Sequence, residues 1–143
     1  MFNIIISLLP QSVTLLLGIG KALLTGNSNE WIESFELTET QVKQLKIIEH
    51  EYEDSTTKLE TEVYEGEILL TKLIISTGSA EQLKQQENEL EMLKFEATQV
   101  YFKKFLAIRE VLTPAQILKQ CETFALTHEE RIEKFFRDKP SRD

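Results

Sequence analysis

Two histidines, one cysteine and many carboxylates are the residues able to ligate a metal or move a proton. His50 sits in the run Glu49-His50-Glu51-Tyr52-Glu53-Asp54. His50 and Asp54 are four residues apart, so they share one helical face and have the spacing to hold an ion. His128 precedes Glu129 and Glu130. Neither histidine has a convergent third ligand by spacing, so the expectation is no cofactor and no tight metal site. Cys121 stands alone, which excludes an internal disulfide and a cysteine-based zinc cluster. It reads as a small apolar side chain inside a helix. There is no glycine-rich phosphate loop, nucleophile elbow or His-Glu-x-x-His. The carboxylates spread along helix faces near Lys or Arg, as on solvated helices. The expected role is binding, with no enzymatic step.

The charge narrows the partners. The formal net charge is -8. Every acidic residue lies at or after Glu30, and Lys21 is the only basic residue before it. A chain this acidic lacks the basic face that a phosphate backbone needs, so nucleic acid is not an expected partner.

Residues 2–20 carry no charge and include Phe2, Ile4, Ile5, Ile6, Leu8, Leu9, Val13, Leu15, Leu16, Leu17 and Ile19. The run is long enough to be a membrane-span candidate and also resembles the apolar core of a secretory signal. No Lys or Arg precedes it, Lys21 lies on the far side, and Pro10 is expected to kink a helix there. A cleaved signal, a retained anchor and a buried helix all remain open. Gly26-Asn27-Ser28-Asn29 then reads as a short linker before Trp31 and Phe35.

The most informative pattern is a repeated helix start. Leu37-Thr38-Glu39-Thr40-Gln41 recurs as Leu112-Thr113-Pro114-Ala115-Gln116, and more loosely as Leu126-Thr127-His128-Glu129-Glu130. A Thr with Gln or Glu three residues later forms a capping box. The hydroxyl accepts from a free amide of the first turn, and the longer side chain reaches back to the Thr amide. Pro114 occupies the first helical position, where its missing N–H costs nothing. Leu37 with Val42 and Leu112 with Ile117 have the spacing of hydrophobic staples. Ser79-Ala80-Glu81-Gln82 is a further capping box without a leucine.

These starts frame long helices. From Thr38, apolar residues recur at Val42, Leu45, Ile48, Tyr52, Leu59, Val63, Leu70 and Leu73, with Thr56 and Gly66 as weak points. The steps of three, four and seven predict a helix to about Ser76. Thr77-Gly78-Ser79 predicts a turn with Gly78 in a left-handed conformation. A second stripe runs through Leu83, Leu90, Leu93, Ala97, Val100, Tyr101, Phe105, Ile108 and Leu112. A third helix from Thr113 to about Ala125 is expected to bury Ile117, Leu118, Cys121 and Phe124. A fourth, Thr127 to about Arg137, offers Ile132, Phe135 and Phe136. The tail 138–143 is expected to be disordered.

The fold class is therefore all-α: a long antiparallel helical hairpin with two short C-terminal helices. Such a hairpin is thin. A further apolar row, Met92, Phe95, Phe102 and Leu106, lies on the second helix. Either other parts of the chain cover it, or it is a surface for a client or a second copy.

The paired Leu-Thr-x-x-Gln motifs resemble those that define the LT-x-x-Q family of Spy/CpxP-type envelope proteins. One opens the first long helix and the other follows the second. The likeness covers about Leu37 to Phe124. The resemblance implies a curved hairpin that forms a homodimeric cradle, and an ATP-independent periplasmic chaperone or stress-response protein. Its implied partners are unfolded or misfolded envelope proteins and, for the CpxP-type branch, a stress sensor. The alternative is a membrane-tethered, metal-responsive regulator, with residues 2–20 as its only membrane contact if they are uncleaved. The implied organisation is 1–26 signal or anchor, 27–137 helical domain and 138–143 tail. Two features depart from the family. The Spy-type cradle is basic and this chain is acidic, and Lys46 stands where the sensor branch has the first histidine of a His-x-x-x-His pair.

Overall fold

A computed structural model describes residues 5–26, 28–120, 133 and 137, and these are all-helical or connecting. After a 3-10 turn at Ile6–Leu8 come α1 (Gln11–Leu17), α2 (Ile19–Leu24), α3 (Ser28–Phe35), α4 (Glu39–Ile75) and α5 (Ala80–Val111). A further helix covers 114–120 within the described residues. The two long helices pack together. Each is roughly 50 Å long at 1.5 Å per residue.

The cap chemistry sets where the long helices begin. At α4, the Thr38 hydroxyl accepts from the Gln41 amide at 3.2 Å, and the Gln41 side-chain oxygen accepts from the Thr38 amide at 3.0 Å. Ser79 and Gln82 form the same box at the start of α5, at 3.2 and 2.9 Å. Thr113 and Gln116 repeat it at 3.2 and 2.8 Å. The copy beginning at Leu126 lies outside the described residues.

One core joins the elements. Leu45, Ile48, Leu59 and Val63 of α4 meet Leu90, Ala97, Tyr101 and Ile108 of α5 in one buried cluster. Both weak points of the α4 stripe have a packing role. Thr56 is buried and returns its hydroxyl to the Tyr52 carbonyl at 2.8 Å. Gly66 admits Leu90, whose methyl would lie 3.0 Å from any Cβ there. Gly78 differs from expectation, because no glycine has a positive φ. It is needed for close approach instead: a Cβ would lie 2.8 Å from the Leu73 carbonyl oxygen.

Residues 5–24 lie on the long helices, α1 against α5 and α2 against α4. Ile5, Val13, Leu16, Leu17, Ile19 and Leu23 join the common core. Among the described residues, no helix is long and apolar enough to cross a membrane. Pro10 kinks nothing, because it precedes α1, where its carbonyl accepts from Val13 and Thr14. At Gly20, an added Cβ would lie 2.9 Å from the Glu49 Cβ and 3.2 Å from the Leu45 carbonyl oxygen, so only glycine lets α2 sit this close to α4.

Ser28 and Asn29 are not linker. They open α3, where Trp31 stacks on Phe35 at 5.5 Å. The helix ends in a Schellman pattern, with Leu37 N–H donating to Ile32 C=O and Glu36 N–H to Glu33 C=O. Glu36 takes the left-handed conformation there, at φ 54. A residue with a Cβ pays about 1 kcal/mol for this relative to glycine.

Candidate functional site

The two Leu-Thr-x-x-Gln motifs meet at one end of the long helices. Gln41 and Gln116 face each other as reciprocal amides. Gln41 Nε2 donates to Gln116 Oε1 at 2.8 Å, and Gln116 Nε2 donates to Gln41 Oε1 at 3.1 Å. Each also reaches the backbone just before the other motif. Gln41 donates to the Val111 carbonyl at 3.1 Å, and Gln116 to the carbonyls of Phe35 and Glu36 at 2.9 and 3.3 Å. The strained turn at Glu36 therefore presents acceptors to Gln116. Leu37 and Leu112 are buried beside this junction, and Val42 and Ile117 are partly buried.

This geometry explains why glutamine, and not glutamate, closes both boxes. The side chain must accept from its own Thr amide and donate to the other motif, and a carboxylate has no proton to donate. The junction is structural: it fixes the ends of α4 and α5 and the start of the helix at 114–120.

Towards the middle of the long helices a second polar pair is buried. Lys104 Nζ lies 2.6 Å from Glu49 Oε2, with side chains only 8% and 13% exposed. The contact is an ion pair, and no hydrogen bond reaches the buried Glu49 Oε2. Glu49 is also the side chain against which Gly20 packs. A cavity of about 560 Å³ remains here between α1–α2 and the long helices, with Val63 and Tyr101 among its lining residues. Further along, Lys94 bridges to Glu67 at 3.0 Å and Glu91 at 3.5 Å. Burial works to lower the pKa of Lys94, but the hydrogen bond and charge of Glu67, helped by Glu91, outweigh it and hold the ammonium above its ordinary value.

The row on α5 lies open. Met92 is 73% exposed, Phe95 66%, Phe102 43% and Leu106 42%. On a helix these positions lie opposite Leu90, Ala97, Tyr101 and Ile108, which face the core. α1 and α2 therefore leave the row uncovered. Phe102 rests on the half-buried Phe105, ring centres 5.5 Å apart. Leu118 also differs from expectation. It is exposed, while Ile117 turns inward. Cys121 and Phe124 lie outside the described residues.

His50 is exposed, with Nδ1 3.6 Å from Glu53 Oε2. Asp54 is exposed on the same helix, and His128 lies outside the described residues. Among the described residues, no three His, Cys, Asp or Glu side chains converge as metal ligands.

Sequence reasoning missed three features: the Gln41–Gln116 junction, the buried Lys104 and the close approach at Gly20. Compared with known proteins, the chain matches no family model, no curated protein and no solved structure.

Proposed function

We propose that this chain is an ATP-independent binding protein of the Spy/CpxP type, working in the periplasm as a chaperone or stress-response factor. In this reading the long helices form an antiparallel hairpin of cradle type that shields apolar segments of unfolded envelope proteins. The observation that carries the reading is the open row Met92, Phe95, Phe102 and Leu106. Four large apolar side chains on the solvent face of one helix serve no fold that the described residues build. Such a surface lowers its free energy by covering an exposed apolar segment of another chain. Phe contributes large contact area, and Met adapts its shape to varied partners. The paired Leu-Thr-x-x-Gln motifs support the family reading, and the envelope location follows from that resemblance.

The test is light scattering of a denatured client diluted into buffer without nucleotide. The full chain is expected to suppress aggregation. Phe102→Asp is expected to lose most of that activity while keeping its helical circular dichroism. A wild-type chain without effect on several clients contradicts the proposal. If Phe102→Asp unfolds the protein, the row belongs to the core and the proposal also fails.

A further inference from the structure

The cleft beneath α1 and α2 has the volume of a small-molecule site, and its charges say which kind of molecule fits. Packed helices leave few voids larger than a water molecule. Here about 560 Å³ stays unfilled between the N-terminal helices and the long ones, within the roughly 300–1,000 Å³ of ordinary ligand pockets. Ile5, Leu17, Val63 and Tyr101 give it buried apolar walls. Lys21, Glu53 and Thr57 border it at exposed positions. Gly18 borders it too, where α1 meets α2. Its φ of -79 and ψ of -10 suit any residue, and an added Cβ there meets nothing within 4 Å. A glycine at such a place weakens the helix without serving a turn or a close approach. What it does is leave the space beside the cleft open.

Three carboxylates reach the cleft from α4, at Glu49, Glu53 and Glu60. Their spacing puts them on one helical face. Against them stand two ammonium groups, Lys21 and Lys104. Lys104 is held by Glu49 at 2.6 Å, so that pair is neutral as a unit. With His50, 3.6 Å from Glu53, counted as neutral, the cleft carries a formal excess of one negative charge.

We propose that this cleft binds a small organic cation, an ammonium group carried on an apolar body. The body leaves water for the walls formed by Ile5, Leu17 and Val63. The ammonium stays on the side of Glu53, where the carboxylates attract it. Tyr64 and Tyr101 also line the cleft, and the face of an aromatic ring attracts a cation. An anionic head group of the same size finds only Lys21 in its favour, because the charge of Lys104 is already balanced by Glu49. A neutral head group gains the apolar contribution alone. The bound cation touches α1–α2 and α4 together, so it fastens the N-terminal helices to the long ones and stabilises the fold by mass action. The site lies on the core side of α5, across that helix from the open row, and does not depend on the chaperone reading.

The test is calorimetric titration of the full chain with octylammonium, octanol and octanoate, one alkyl chain with three head groups. Octylammonium is expected to saturate at one molecule per chain and to raise the melting temperature. Octanoate is expected to bind about tenfold more weakly or worse, with octanol between them. Gly18→Trp and Thr57→Trp put a large ring beside the cleft from α1–α2 and from α4, at exposed positions. Each is expected to keep its helical circular dichroism and to lose octylammonium affinity about tenfold or more, as the ring takes up the ligand's volume. Glu53→Lys is expected to weaken octylammonium and to narrow its advantage over octanoate. Octylammonium that shows no saturable binding at millimolar concentration overturns the proposal. So does octanoate that binds as tightly as octylammonium. Affinity unchanged in both folded tryptophan variants places the ligand elsewhere on the chain, such as on the open row, and overturns it as well.

Discussion

Lys104→Ala is expected to destabilise the protein by about 3–5 kcal/mol, because it leaves Glu49 as an uncompensated, largely buried charge. Lys104 Nζ is 2.6 Å from Glu49 Oε2, and both side chains are almost fully withdrawn from water. Gly20 lets α2 pack directly on the Glu49 side chain, and the pair borders the cavity of about 560 Å³ beneath α1 and α2. Removing both charges has a different consequence. Glu49→Gln with Lys104→Met keeps the volume and removes the desolvation cost, so the double variant is expected within about 1 kcal/mol of wild type. Denaturant melts of the two single variants and the double variant give the coupling energy directly. Singles that each lose less than about 1 kcal/mol mean that water reaches the pair.

The second large effect is expected at the junction of the two motifs. Gln41→Glu keeps the capping box intact, since a carboxylate still accepts from the Thr38 amide and the Thr38 hydroxyl still accepts from residue 41. It removes the donors to the Val111 carbonyl and to Gln116 Oε1. It also sets a negative charge against two oxygen acceptors. The expected loss is about 2–3 kcal/mol at neutral pH, more than a cap alone supplies. Acidification should return part of it, because a protonated carboxyl can donate one hydrogen bond. Chemical melts of wild type and Gln41→Glu at neutral and acid pH are the measurement. An unchanged midpoint at neutral pH means that Gln41 acts only as a cap.

The contrast between these two sites shows what the sequence reveals and why. Helix starts are written locally. Thr38, Ser79 and Thr113 each find their partner three residues on, so the spacing alone identifies them. The core stripes are also local, since the helical repeat places Leu45, Leu59 and Val63 on one face. The junction is different. Gln41 and Gln116 are 75 residues apart, and only tertiary packing joins them. The use of Gln in both full motifs was the available signal, because Gln can donate where the more usual Glu cannot.

Lys104 was concealed by its type, since a lysine on a helix is ordinarily solvated. Its position was legible nonetheless: Ala97, Tyr101, Lys104 and Ile108 advance by fours and threes along the core stripe. The N-terminal run was ambiguous for a physical reason. An uncharged apolar segment suits a signal, an anchor or a buried helix equally well, and nothing local distinguishes a lipid partner from α4 and α5. The open row was found from its spacing, but spacing alone did not say whether the chain itself covers it.

The claim that this outer row binds unfolded chains is tested most directly by photo-crosslinking from within it. A full chain carrying benzoylphenylalanine in place of Phe102 is mixed with a denatured client, without nucleotide, and irradiated. A second chain carries the same group in place of Lys58, an exposed position on α4. The account predicts a strong crosslink to the client from position 102 and a weak one from position 58. Equal yields from the two positions, or no crosslink from position 102 while aggregation is suppressed, would contradict it.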